Sequence, residues 1–174
     1  MDYKISAGIA ESDLPAWLKS AAIKYGTFKD GRVNYKAADI APTVMCTVAC
    51  GPEILLVKRG YGLADAEGYW STVNGFIDEA KPLKNQVKQE LKEELGLIVG
   101  DDVIQVRESY TLEGRKEKRS YIVFPCLVSL KSKPAITLNR ENTEYLWIKR
   151  NQLESFDILD DLPYAVDVAL GTKV

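Results

Sequence analysis

The fold class this sequence predicts is α/β: one mixed β-sheet with helices packed on it, preceded by a helical or extended arm. Three observations carry that prediction. Strand-like runs rich in β-branched and apolar residues lie on both sides of a central amphipathic helical pattern. The first 40 residues differ in character from the rest of the chain. No internal repeat and no linker rich in Pro, Gly or Ser divides the 174 residues, a length that suits one domain with a core of its own.

The arm comes first. Ser12 and Asp13 are N-cap types, Pro15 suits a first helical turn, and Leu14, Trp17, Leu18, Ala21 and Ala22 recur at helical spacing until Gly26 supplies a stop. The segment KDGRVNYK then carries an Asp30-Gly31 turn signal, which predicts a small hairpin or an extended run. Residues 1–40 are therefore expected to form an extension packing on a domain of residues 41–174.

From Thr43 the pattern becomes strand-like. TVMCTVAC and EILLVKR predict two strands joined tightly at Gly51-Pro52. The loop YGLADAEGY leads into WSTVNGF, a short strand entering a Gly turn, and a helix is predicted over residues 82–95. Beyond it, VIQVRESYTL and RSYIVFPCLVSL predict two long strands around EGRKEK, EYLWIKR predicts another, and LPYAVDVAL a closing helix.

Composition narrows the chemistry. With 23 basic and 25 acidic residues the net charge is −2, which gives no nucleic-acid footprint and no membrane-surface signature. No stretch approaches the roughly 18 apolar residues of a membrane span, and the start lacks a basic region followed by an apolar run, so a cytoplasmic protein is expected. Cys46, Cys50 and Cys126 sit in apolar stretches without metal-ligand spacing and are expected to be buried free thiols. There is no histidine. That excludes Ser-His-Asp and Cys-His nucleophile systems and imidazole-ligated metals, leaving acid-base work to carboxylates, Lys, Tyr or metal-bound water.

The helix KPLKNQVKQELKEEL poses an electrostatic problem. At about 100° per residue, Leu83, Val87, Leu91 and Leu95 form an apolar stripe and Lys84, Lys88 and Lys92 a basic face. Gln86, Glu90, Glu93 and Glu94 form a polar wall, with Glu94 at the edge of the apolar stripe. Like charges are thus segregated, and the acids lie near the C-terminal end, where the helix dipole opposes them. A surface helix with solubilising charge is the plain alternative. A divalent cation such as Mg²⁺ or Mn²⁺ resolves the conflict, because it takes hard carboxylate oxygens and supplies the missing charge.

The run over residues 75–97, GFIDEAKPLKNQVKQELKEELGL, resembles the Nudix box: Gly, five residues, Glu, seven residues, Arg-Glu, an aliphatic, any residue, Glu-Glu, any residue, Gly, an aliphatic. It matches at Gly75, Glu90, Leu91, Glu93, Glu94, Gly96 and Leu97, and departs at Lys81 and Gln89. The order of elements around it, from Lys58-Arg59 through Trp70 to the Glu144-Tyr145-Leu146-Trp147 strand, is similar to a Nudix domain over roughly residues 41–150. The resemblance implies the α/β/α sandwich of that family and hydrolysis of a pyrophosphate bond in a nucleoside diphosphate linked to another moiety.

By the same resemblance Glu90, Glu93 and Glu94 would ligate Mg²⁺ or Mn²⁺, with the carbonyl of Gly75 adding an oxygen. Glu141 and Glu144 are the candidates for an acid outside the box that orients the attacking water. Arg59 is a candidate for a substrate phosphate, and Tyr61, Tyr69 and Trp70 for stacking on a base. The resemblance gives the Arg of the pattern the task of pairing with box carboxylates, a charge that Gln89 cannot supply. Lys81 is expected in solvent near the helix start, and Arg115, Lys116, Lys118 and Arg119 are expected to decorate a hairpin tip. The partner implied is a small nucleotide-type substrate; neither nucleic acid nor membrane is expected, and a homodimer is compatible with the sequence. The alternative is a catalytically weak nucleotide-binding sensor, which the two departures keep open.

Overall fold

The structure is a computed structural model that describes residues 3–60, 67–114 and 119–172. In chain order the regular elements are β1 (Tyr3–Ala7), α1 (Leu14–Tyr25), β2 (Ile40–Cys50), β3 (Glu53–Arg59), β4 (Trp70–Ser71), β5 (Val73–Phe76) and α2 (Leu83–Leu95). They continue with β6 (Ile104–Val106), β7 (Tyr110–Gly114), β8 (Ser120–Leu130), β9 (Asn142–Lys149) and α3 (Leu162–Leu170).

The spine of the sheet is the parallel pair β2 and β8, in register from Ile40↔Ser120 to Cys50↔Leu130. Both strands are apolar almost throughout, as strands buried on two faces must be. Alternation along β2 divides the core. Val44, Cys46 and Val48 pack with Leu83, Val87, Leu91 and Leu95 of α2 and Leu14 and Leu18 of α1. Met45 and Ala49 face the other way, against Leu162, Ala165, Val166 and Ala169 of α3. The result is the expected mixed sheet between helical layers.

Two predicted strands are interrupted. The run over residues 70–76 is not one strand: β4 pairs antiparallel with β3 and β5 with β2. β3 occupies the Ala49–Cys50 end of β2, so the edge from Thr43 to Cys46 is left for β5, and the chain steps across at Thr72. The long strand expected over residues 103–112 is divided into β6 and β7, both antiparallel to β8. The break lies opposite Pro125, which has no N–H to give to the ladder. Pro125 still accepts from Arg107 N at 2.9 Å. Within the break, Ser109 Oγ donates to Ile9 O at 2.6 Å and accepts from Ile9 N at 2.8 Å.

The arm is more ordered than the sequence suggests. β1 pairs with β7 from Tyr3↔Gly114 to Ala7↔Tyr110, covering an edge that would otherwise be open. Five residues are too few for a periodicity to stand out, which is why YKISA gives no strand signal. The hairpin around Asp30-Gly31 forms as expected, with a Thr27↔Val33 bridge and Phe28 N donating to Arg32 O at 2.8 Å. Val33 N donates to Asp78 O at 2.8 Å and Tyr35 Oη to Ile77 O at 2.7 Å, which ties the hairpin to the loop before α2.

Arg119 corrects another expectation. Its guanidinium donates to the carbonyls of Ala38, Tyr35 and Lys36, so it anchors the arm. Arg115, Lys116 and Lys118 lie outside the described residues. The cysteines are free, with Cys46 and Cys126 buried and Cys50 partly exposed. Among the described residues no helix is long and apolar enough to cross a membrane.

Both ends of α2 are held by specific contacts. Gly96 adopts φ 65°, Gly96 N bonds to Lys92 O and Leu97 N to Leu91 O, so a left-handed glycine cap ends the helix. At the other end Pro82 is the N-cap and offers no side-chain cap. Glu11 from the arm replaces it, its Oε1 accepting from Leu83 N at 3.3 Å where the dipole favours an anion. Glu11→Ala is expected to cost about 1 kcal/mol, in the range of a lost helix cap. Urea unfolding followed by circular dichroism measures it, and an unchanged midpoint would show that the contact is idle.

Candidate active site

The residues that matter lie where α2 leaves the apolar contact with the sheet. Gln86, Glu90 and Glu94 succeed one another at four-residue spacing beside the buried stripe, so each is drawn partly out of water by the packing of Leu83, Val87 and Leu91. Glu94 is only 6% exposed. The carboxyl group of Glu90 lies against the backbone of Gly75, where a Cβ would collide with Glu90 Cδ and Oε1. The glycine of β5 is required by this close approach rather than by its backbone angles.

The hydrogen bonds reaching these two acids come from neutral amides. Gln86 Nε2 donates to Glu90 Oε1, and Asn142 Nδ2 donates to Glu94 Oε2 at 2.7 Å. Neither carboxylate forms an ion pair among the described residues. Burial pushes Glu90 up to about 7, opposed by the Gln86 bond and the positive charge of Lys81, and reinforced by the negative charges of Glu93 and Glu141. Burial likewise pushes Glu94 up to about 8, opposed by Asn142 and by Arg59, and reinforced by Glu90 and Glu141.

The sheet decides which other residues join them. Lys58 of β3 pairs with Glu144 of β9 and with Trp70 of β4, and cross-strand partners share a face. Lys58 is two residues on from Leu56 of the α3-side core, whereas Leu55 and Val57 face α2. Lys58 Nζ sits 2.7 Å from Glu144 Oε1 and 5.6 Å from the Trp70 ring centroid. Trp70, 8% exposed, packs edge-on against Phe156. Glu144 and Trp70 therefore belong to the face away from α2, and neither is brought to the acids.

One residue further along β3, the register shifts and Arg59 pairs with Asn142. In regular pairing Thr143 would oppose Arg59. The irregularity gives one extra residue to β9 and turns Asn142 toward α2, the re-aiming that bulges produce beside functional sites. Arg59 is on this face too, where its charge favours the ionised form of Glu94. Glu141 stands just before Asn142, with Glu141 O accepting from Gly60 N at 2.7 Å. The structure thus brings together Gly75, Glu90, Glu94, Glu141 and Arg59. Tyr61 lies outside the described residues.

Glu93 is exposed on the outer side of the same group, its Oε1 accepting from Gln89 Nε2 at 2.9 Å. Lys81 is not a solvated lysine. Its side chain is 18% exposed, and its Nζ donates to Glu79 Oε1 at 2.6 Å and to Gln89 Oε1. Sequence reasoning missed Asn142 and Gln86 as partners of the acids. Gln86 carries a visible signal, an amide one turn ahead of Glu90, whereas Asn142 depends on the strand register.

These donors suit a hard divalent cation. A buried and a half-buried carboxylate one helical turn apart disfavour each other's ionised form, and a metal ion removes that conflict by replacing the protons. Gln86 Oε1 is buried and has no hydrogen-bond partner among the described residues, so a further neutral oxygen remains beside Glu90. Among the described residues no group of three acid or thiol side chains is placed to hold a metal ion by itself. An open site fits Mg²⁺, which binds through one or two carboxylates and leaves other positions to phosphate oxygens and water.

A family model described as NUDIX domain matches residues 39–165. The chain belongs to the NUDIX domain family. It is a Nudix pyrophosphohydrolase, an enzyme acting on acid anhydrides. A nucleoside triphosphatase NudI from Salmonella newport (strain SL254) is 28% identical over 115 residues, covering 60% of this chain and 78% of that protein. The NUDIX domain of Shewanella oneidensis NrtR, solved with ADP ribose, superposes with a TM-score of 0.64 at 17% identity, covering 75% of this chain and 86% of that one. The MutT protein from Methanosarcina mazei Go1 gives 0.58 at 19% identity, covering 75% and 91%. At these identities the two structures establish the fold of this Nudix chain.

Because Glu90 and Glu94 bind protons more tightly folded than unfolded, they favour the metal-free fold fully below about pH 4.5, and that contribution is lost as pH rises through about 7 and 8. Glu94→Gln keeps the shape and can still accept from Asn142. In metal-free buffer it is expected to raise Tm by several degrees at about pH 9 and to leave it nearly unchanged at about pH 4. Differential scanning calorimetry at both pH values checks this; an equal gain at both would refute the electrostatic origin.

Proposed function

We propose that this Nudix hydrolase cleaves the phosphoanhydride bond of a nucleoside diphosphate linked to another moiety, with Mg²⁺ or Mn²⁺ held by Glu90, Glu93, Glu94 and the carbonyl of Gly75. One observation carries the reading: half-buried Glu90, set against Gly75, and buried Glu94, one turn further along α2, have only neutral amides bonded to their carboxylates. The names of the relatives point the same way, since a nucleoside triphosphatase and a NUDIX domain complexed with ADP ribose both concern nucleotides that carry phosphoanhydride bonds.

When bound, the metal supplies charge neutralisation at the pyrophosphate oxygens and makes an attacking water more acidic. The chain's own groups do the rest. Asn142 and Gln86 hold the carboxylates of Glu94 and Glu90 in fixed orientations, so no reorganisation is needed when they ionise. Arg59 shares their face and adds a positive charge suited to a substrate phosphate. Glu141 is assigned the role of orienting the water or taking its proton, because its charge acts on both Glu90 and Glu94. Glu144 is set aside for that role, being paired with Lys58 on the other face.

A second reading, binding of such a nucleotide as a sensor with little turnover, is favoured by one feature, the loss of the pattern's Glu and Arg at Lys81 and Gln89. A panel of ADP-ribose, nucleotide sugars, dinucleotides and nucleoside triphosphates assayed with Mg²⁺ separates the two. Turnover of at least one compound is expected, with kcat reduced about a hundredfold or more by Glu94→Gln and about tenfold or more by Glu141→Gln. Tight binding with no product from any of them would favour the sensor.

A further inference from the structure

We propose that Lys81 is a positioning residue for Glu93, acting through the amide of Gln89, and that it delivers from the loop the positive charge that the Nudix pattern places on the helix at position 89. This rests on the reading of Glu93 as a metal-holding acid.

The polarity of the contacts carries the proposal. Lys81 Nζ donates to Gln89 Oε1, and Gln89 Nε2 donates to Glu93 Oε1 at 2.9 Å. An ammonium group has donors and no acceptor, so Gln89 must turn its oxygen toward Lys81 and its NH₂ toward Glu93. The Glu93 carboxylate, an acceptor, already favours the NH₂ of that amide, and the lysine reinforces the same orientation from the other side. One orientation is thereby selected and the amide dipole carries the effect of the positive charge one helical turn further. Gln89 and Glu93 stand four residues apart on α2, the spacing at which such pairs meet.

The lysine itself is held. It precedes Pro82, which restricts its backbone to extended conformations, and its side chain is largely covered. Glu79 pairs with it at 2.6 Å. The two departures offset one another only in part: Lys81 and Gln89 carry a net charge of +1 where a Glu and an Arg at these positions would sum to zero, and the acid of Glu79 stands against the excess. Lys81 also acts on Glu90, favouring its ionised form. The two departures from the Nudix pattern thus form one coordinated substitution.

The test is a titration of the full chain with Mn²⁺, followed by the electron paramagnetic resonance signal of the free ion, alongside metal-free Tm and separate kcat and KM values. Lys81→Met is expected to weaken Mn²⁺ binding about tenfold, the usual scale for a residue that orients a metal ligand, with metal-free Tm nearly unchanged. Lys81→Arg should retain most of the affinity. Lys81→Glu and Gln89→Arg should each weaken binding alone, while the double variant K81E/Q89R returns to within about threefold of wild type, a non-additivity that a merely structural lysine would not produce. The proposal is overturned if Lys81→Met binds Mn²⁺ like wild type, or if the double variant binds no better than the weaker single one. Should Lys81→Met fail to fold, the double variant alone decides. A wild-type chain that takes up no Mn²⁺ removes the metal reading and this proposal together, whereas wild-type uptake with an indifferent Lys81→Met removes only the latter.

Discussion

Two carboxylates, Glu90 and Glu94, are held out of water next to one another, and much of the surrounding architecture is the means of holding them there. An ionised acid in a poorly solvated place is costly unless something compensates. The apolar stripe of α2 must pack on the sheet for the helix to be stable at all, and the two acids stand on its border because their positions are tied to those of the leucines. Gly75 gives up a side chain to admit one of them, and Asn142 comes across from another strand to orient the other. The site is therefore a property of the fold's main packing contact rather than of a loop laid over it.

Much of this is legible in the sequence because it is local. The three faces of α2, the Gly96 stop and the absence of histidine come from spacing and composition, and the acid cluster near the end of a helix marks a place where charge needs an answer. The central strands are legible for a related reason, since β2 and β8 are apolar on both faces and stand out as continuous runs. The features that escape such reading depend on pairing. Nothing in WSTVNGF announces that Ser71 and Val73 belong to strands with different partners, because the division is imposed by the length of β2 left free by β3. The break at residues 107–109 is written in Pro125 of the opposite strand. Glu141 and Glu144 look equivalent in NRENTEYLW, and only the strand pairing tells them apart: Glu144 lies within β9 opposite Lys58, whereas Glu141 precedes the strand and its carbonyl accepts from Gly60 N. Lys81 looks solvated in the sequence because a lysine near a helix start usually is.

The N-terminal residues are integrated with α2 by several independent contacts. α1 contributes Leu14 and Leu18 to the same core as the leucines of α2, and the hairpin after it bonds to the carbonyls of Ile77 and Asp78. Glu11 accepts from Leu83 N, the first free N–H of α2, at the end of that helix furthest from its acids. A segment outside the most recognisable part of the sequence thereby fixes the position of the helix that carries Glu90 and Glu94. Through β1, the same segment closes the sheet edge at β7.

The irregular pairing in β9 has an evolutionary meaning. The acids are encoded in one short contiguous stretch, but the amide that steadies Glu94 is encoded 48 residues later, in a strand whose alignment is set by a single additional residue. Gain or loss of one codon there would exchange the group facing Glu94 without altering a single acid. Carboxylate basicity can then drift in one part of the gene while the acid-bearing stretch stays constant in another.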